Sequence, residues 1–222
     1  MKNPYPKKYE TLWKLPDGRT VLLRPIKPED EQLWLEMFRN FSEESIHYRF
    51  FQIIRDTPHE VRVRYCNIDY DREIAIVAEI IEDGHRKILG VVRVSLEPDR
   101  KNGEIAFIIA DPWQGLGLGT KMVDYVIEIC KDMKIETIYA IILPDNYRAI
   151  SLMKKMGFNI KHLSDDTVKA TLNLKEEEIS SQHAESKTTE QVQLEKEEQK
   201  EQNNRKMINH NLDFKGCQKI AE

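Results

Sequence analysis

No run of this chain is long and apolar enough to cross a bilayer, which takes roughly 20 consecutive apolar residues. Its start, Met1-Lys2-Asn3-Pro4-Tyr5-Pro6, lacks the apolar core of a secretory signal, so a cytoplasmic protein is expected. Cysteine is scarce. Cys66, Cys130 and Cys217 are far apart and odd in number, with no CxxC pair. That excludes a disulfide framework and the usual zinc spacings, and leaves free thiols as the expectation. The 6 histidines contain no HxxxH pair, so no metal site is expected. Positive charge is not in excess either. The net charge is −4, and residues 175–222 hold 11 acids against 8 bases, so the rest is close to neutral. Bulk electrostatic binding to nucleic acid or to an anionic membrane is therefore not expected.

What is present divides near Leu174. Residues 1–174 show clear apolar periods. Residues 175–222 open on Lys175-Glu176-Glu177-Glu178 and continue rich in Gln, Glu, Lys and Ser. Too few apolar residues remain there for a core, and a mostly disordered charged tail is expected. In the body, Thr20–Ile26 reads as a strand. Pro28-Glu29-Asp30-Glu31 reads as a helix start, and Leu33, Trp34, Met37, Phe38 and Phe41 follow at helical spacing. Ser42-Glu43-Glu44 and Thr57-Pro58-His59-Glu60 are two further helix starts. Glu73–Ile81, Ile88–Leu96 and Glu104–Ala110, separated by short turns, predict an antiparallel meander. A helix over about Leu118–Met133 comes next, then a strand over Thr137–Leu143. A short helix capped by Asn146 follows, and Asn159–Leu163 and Val168–Leu174 close the body. The order β-α-α-β-β-β-α-β-α-β-β predicts one mixed α/β domain.

The sharpest feature is Gln114-Gly115-Leu116-Gly117-Leu118-Gly119-Thr120, between a strand and a helix. Glycines let backbone N–H groups approach an anion, and a helix start adds unpaired donors and a positive dipole end. The segment therefore suits a phosphate or pyrophosphate. It is not a P-loop, because Gly119-Thr120-Lys121 inverts the required Lys-Ser/Thr order. Nor is it a dinucleotide fingerprint. A third glycine would fall at Thr120, and the preceding strand ends a meander rather than opening a βαβ unit. A nucleotide-binding switch is disfavoured on both counts.

Gln114-x-x-Gly117-x-Gly119 resembles the acetyl-CoA pyrophosphate loop of the GNAT superfamily of N-acetyltransferases. Asn146-Tyr147-Arg148-Ala149-Ile150 followed by Lys155-Met156-Gly157-Phe158 is similar to that superfamily's Asn-to-Gly-Phe segment. The resemblance covers roughly Thr11 to Leu174. Three further segments resemble bacterial Pat-type protein lysine acetyltransferases: Asp17–Ile26, Ser45-Ile46-His47-Tyr48-Arg49-Phe50-Phe51, and Ile68–Glu73.

The resemblance implies a GNAT fold, a mostly antiparallel central sheet with helices on both faces. It implies acetyl-CoA as co-substrate, and a protein lysine or a small amine as acceptor. Contacts to acetyl-CoA are implied for Ile108, Ile109, Ala110, Gln114, Gly115, Leu116, Gly117, Leu118, Gly119, Thr120, Asn146 and Ala149. Amine acylation needs a neutral amine, and a lysine ammonium has a pKa near ~10.4, so a base is required. The resemblance assigns that role to Glu104. It assigns polarisation of the thioester carbonyl to a backbone N–H near Ile109 or Ala110. The position seven after Asn146, where many GNAT enzymes carry a tyrosine acid, is Met153, expected to be core filler. That departure keeps a second reading open, a catalytically silent module that senses acetyl-CoA. Asp69, Asp71 and Glu73 are either an attractor for a cationic acceptor or a solvated turn.

Overall fold

A computed structural model describes residues 4–175. The tail expected over residues 175–222 lies outside them except for Lys175. The strands are β1 (Thr11–Lys14), β2 (Thr20–Pro25), β3 (Glu73–Glu82), β4 (His85–Leu96), β5 (Asn102–Ile109), β6 (Thr137–Ile142), β7 (Asn159–His162) and β8 (Val168–Asn173). The helices are α1 (Glu31–Arg39), α2 (Glu43–Phe50), α3 (His59–Cys66), α4 (Leu118–Asp132) and α5 (Tyr147–Lys155). All eight strands form one sheet in the order β1-β2-β3-β4-β5-β6-β8-β7.

The mixed α/β architecture is as expected, with two corrections to the order. The four-residue edge strand β1 precedes the first expected strand. All three helix starts in the first half yield helices, so α3 is added before the meander. β1 escapes the reading of periods because it is short and half exposed on alternate residues. It pairs with β2 through the Asp17-Gly18 turn.

Alternation along the strands divides the buried residues between two faces. Ile74, Ile76, Val92, Val94, Ile105 and Ile109 share one core with Leu118, Met122, Val126 and Ile129 of α4. Ala75, Val77, Val91 and Ile108 share the other with Trp34 and Phe38 of α1, Ile46 of α2 and Cys66 of α3. Trp34 stacks between Phe38 and Tyr65, with ring centroids 5.4 and 5.2 Å away. Because β3 is covered on both faces, its sequence reads as a nearly continuous apolar run rather than an alternation.

The pairing that matters most is β5 with β6. Every other neighbouring pair in the sheet is antiparallel, and this one is parallel. It is confined to Asn102–Glu104 against Thr137–Tyr139. Beyond Glu104 the two strands part. β5 stays paired to β4 along its length, and β6 stays paired to β8. A bulge where β3 meets β4, at Ala78/Glu79, lies next to Gly90, which packs against β5. A Cβ on Gly90 would stand 2.8 Å from the Ile108 carbonyl oxygen, so only glycine permits this approach.

Candidate active site

The parting of β5 and β6 opens a cleft of about 720 Å³. Its walls are Ile105–Ile109 of β5, Ala140–Ile142 of β6, Glu44, Ser45, Tyr48 and Arg49 of α2, the glycine loop, and the start of α5.

Hydrogen-bond alternation fixes which backbone groups face the gap. In an antiparallel ladder, directly opposed residues alternate between bonded and non-bonded pairs. The Ala110 N–H donates to the Leu89 carbonyl at 2.8 Å. Stepping back along the register, Ile108 opposite Val91 and Ala106 opposite Arg93 also bond toward β4. The N–H groups of Phe107 and Ile109 therefore point away from β4, into the cleft. Of the two amides expected to polarise a carbonyl, Ala110's is already engaged and Ile109's faces the gap. The Ile109 carbonyl, turned the same way, accepts from Gln114 Nε2 at 3.0 Å.

The glycine loop sits at the mouth of the cleft. Gly115 and Gly117 have φ of 78° and 82°, the left-handed region that glycine tolerates. A Cβ on either would meet no protein atom within 4 Å, so the space above the loop is open. Gly117 is the residue before α4 and provides no side-chain cap, and the first turn of α4 has no acidic residue. Its first N–H groups are left for a ligand, with the positive end of the helix dipole behind them. Gly115, Gly117, Gly119, Thr120, Asn146 and Ala149 line the cleft, as do Ile108 and Ile109. Leu116, Leu118 and Ala110 do not. Leu118 is 1% exposed and belongs to the core beneath the loop.

Gln114 lines the cleft, but its side chain serves the scaffold. Its Nε2 donates to Ser45 Oγ and Asp111 Oδ1, both at 3.2 Å, and its Oε1 accepts from Arg148 at 3.1 Å. Asp111 also accepts from the Ser42 N–H at 2.8 Å, from Ser42 Oγ at 3.0 Å and from Ser45 Oγ at 2.6 Å. Burial alone would raise the Asp111 carboxyl. The serine donors outweigh burial and hold it below the usual range. This network fastens α2 and α5 to the loop. Asn146 Oδ1 accepts from the Ala149 N–H at 3.1 Å and so caps α5.

Glu104 is the last residue of the parallel pairing, opposite Tyr139 on β6. Ile105 and Ala106 line the cleft and Glu104 does not. Its side chain is exposed at the vertex where the strands part, on the face shared with α2. Met153 is fully buried in the core, so it is packing. Two tyrosines from the segments that carry the resemblance stand at the cleft instead, Tyr48 from α2 and Tyr147 from α5. Glu73 is not free to attract an acceptor. It accepts from Arg64 at 2.8 and 3.0 Å and lies 3.4 Å from Arg93. Among the described residues no cluster of His, Cys, Asp or Glu could hold a metal ion, and no helix is long and apolar enough to cross a membrane.

Residues 20–159 match the acetyltransferase (GNAT) domain family. The chain belongs to the GNAT acetyltransferase family, and it is an N-acetyltransferase by that membership. It is 29% identical to an acetyltransferase of Pseudomonas aeruginosa over 153 residues, 69% of this chain and 82% of that protein. It is 24% identical to the acetyltransferase Pat of Mycolicibacterium smegmatis over 152 residues, 63% of this chain and 41% of that longer protein. The crystal structure of the GNAT domain of S. lividans PAT superposes with a TM-score of 0.70 at 23% identity, covering 77% of this chain and 99% of that one.

Proposed function

We propose that this chain transfers an acetyl group from acetyl-CoA to the side-chain amine of a protein lysine, with Glu104 as general base. The observation that carries the reading is the three-residue limit of the β5–β6 pairing. It leaves backbone donors beside an anion-ready glycine loop and puts a carboxylate at the vertex.

The residues present fit acetyl-CoA. The open space over Gly115 and Gly117 suits a pyrophosphate on the first N–H groups of α4. The free backbone edge of β5 suits the amides of a pantetheine arm, which would lie there as an extra strand does. When bound, the co-substrate supplies an activated thioester carbonyl. The Ile109 N–H then stands ready to donate to the oxygen that gains negative charge. Glu104 takes the ammonium proton, directly or through water, and frees the nitrogen lone pair for attack. A CoA thiol has a pKa near that of cysteine, about 8.5, so the thiolate leaves with little help. Burial of Met153 is then tolerable, and Tyr48 or Tyr147 at the cleft wall can supply a proton. The exposed setting of Glu104, and the Pat-like segments of α2, favour a lysine on a protein surface over a small amine held in a closed pocket.

The test is thiol release from acetyl-CoA with and without a lysine-bearing protein pool, wild type beside Glu104→Gln. The expected result is acceptor-dependent release that falls on the order of 10²–10⁴-fold in the variant, with acetyl-CoA affinity kept. Loss of affinity at unchanged turnover would overturn the role of Glu104. Binding without release in any pool would establish the sensing module that the missing tyrosine at Met153 leaves open.

A further inference from the structure

Four described arginines are not solvent-exposed: Arg24, Arg49, Arg62 and Arg93. Three of them have a carboxylate in reach. Arg24 pairs with Asp30 at 2.7 Å, Arg62 with Glu31 at 3.0 Å, and Arg93 with Glu73 at 3.4 Å. Arg49 has none. Among the described residues it forms no ion pair and no hydrogen bond. Its guanidinium lies 4.9 Å from the Phe50 ring centre, a contact that carries no counter-charge.

Position makes this informative. Arg49 lines the cleft from the C-terminal end of α2, whose N-terminal end is fixed to the glycine loop through Ser42, Ser45 and Asp111. From Ser42 to Arg49 is about 10 Å along a helix. Arg49 thus stands away from the pyrophosphate end, toward the vertex. Burial is the largest influence on its charge; Tyr65 and Glu104 favour the charged form and Arg93 opposes it. Burial without a partner pushes the guanidinium below its usual range. A half-buried, unpaired guanidinium is costly in a finished site, and it is matched by a carboxylate that meets its planar fork with two hydrogen bonds.

We propose that Arg49 is the anion subsite of the acceptor: it pairs with a carboxylate that the acceptor carries next to its reactive amine. On a protein this is an acidic residue adjoining the target lysine; on a small acceptor it is the carboxylate of a free amino acid. The inference rests on the acetyl-transfer reading above and adds the acceptor's chemistry to it.

The experiment compares single-lysine peptides that differ only in Asp against Asn beside the lysine, and free glycine against glycinamide. Each is tested at fixed acetyl-CoA with wild type, Arg49→Gln and Arg49→Lys. In the wild type, kcat/KM is expected to favour the carboxylate member of at least one pair on the order of 10- to 100-fold, the worth of a charge-assisted hydrogen bond. That preference is expected to fall to near one in Arg49→Gln and to be partly kept in Arg49→Lys. Whichever pair shows it identifies the peptide or the amino acid as the source of the carboxylate.

Equal rates within both pairs for the wild type would overturn the proposal. So would a preference that survives in Arg49→Gln. A drop in acetyl-CoA affinity in that variant would make Arg49 a phosphate contact instead. A new preference of the wild type for succinyl-CoA over acetyl-CoA, lost in the variant, would move the carboxylate to the acyl chain. If no acceptor turns over, calorimetric binding of the Asp and Asn peptides to the CoA-loaded protein makes the same comparison. Preferential binding of the Asp peptide would then support the Arg49 site although the acetyl-transfer reading had failed. Equal binding would overturn it.

Discussion

At the scale of single residues, Gly117 is the most direct test of the loop. Its φ of 82° costs a non-glycine residue about 1–2 kcal/mol, and no protein atom stands where a Cβ would go. Gly117→Asp is therefore expected to fold. Its carboxylate would project into the space assigned to a pyrophosphate and repel it. CoA affinity is expected to fall by at least about tenfold, with a melting midpoint lower by only about 2–8 °C from the φ cost, since opposed like charges and lost donors cost more than 1.4 kcal/mol. Unaltered affinity, read by calorimetry, would show that the anion does not sit there. The thiols give a second residue-scale prediction. Cys66 and Cys130 are free and buried, and burial pushes both up to about 12. Neither is expected to react with iodoacetamide in the native protein at pH 7.5, and both should react in denaturant, as peptide mass mapping would show.

Elements were legible in the sequence where a local signal carries them. The glycine loop, the period of α4 and the Asn146 cap need only neighbours in the chain, and each stands where its residues put it. What was not legible depends on distant partners. Tyr48 and Arg49 reach the cleft because Asp111, 69 positions beyond Ser42, accepts from the serines that begin α2. The parting of β5 from β6 cannot be read from either strand alone, since beyond the paired residues both are apolar, over Ile105–Ile109 and Ala140–Ile142, and pairing is set by the rest of the sheet. Glu73 read as part of either an acceptor-attracting cluster or a solvated turn because Arg64 and Arg93, its partners, lie on other elements.

The join between β2, β3 and the start of α1 is another such non-local feature. Arg24, 1% exposed, donates to Glu79 at 2.8 Å and to Asp30 at 2.7 and 2.8 Å. Arg86 also donates to Glu79, at 2.7 and 3.0 Å. Arg24→Met would leave the carboxylate of Asp30, also 1% exposed, without its principal partner. A cost of about 3–5 kcal/mol is expected from urea unfolding. A cost below about 1 kcal/mol would mean that the pocket admits water in the mutant.

On the scale of the whole molecule, the sheet is two blades, β1 to β5 and β6 to β8, each held by antiparallel ladders alone. Between them runs a seam of three residue pairs. The seam is the shortest line of strand pairing among the described residues, and the cleft is its continuation. Ligand that binds only the folded state stabilises it by mass action, by about 2.7 kcal/mol at 100 times Kd. Saturating acetyl-CoA is therefore expected to raise the unfolding midpoint. It should also slow hydrogen exchange at Phe107 and Ile109 more than at the Ala110 amide, which is already bonded to Leu89. Uniform slowing across β5 would count against a pantetheine arm in the gap.

That seam has a consequence for the catalytic cycle. If the arm lies between the blades, its amides act as the missing rungs of the ladder, and the sheet is stitched along its full height only while CoA is bound. Each product departure then undoes the stitching. The domain would pass through its stiffest and its loosest states once per turnover, and the release of spent CoA would be the moment at which the two blades are freest to shear.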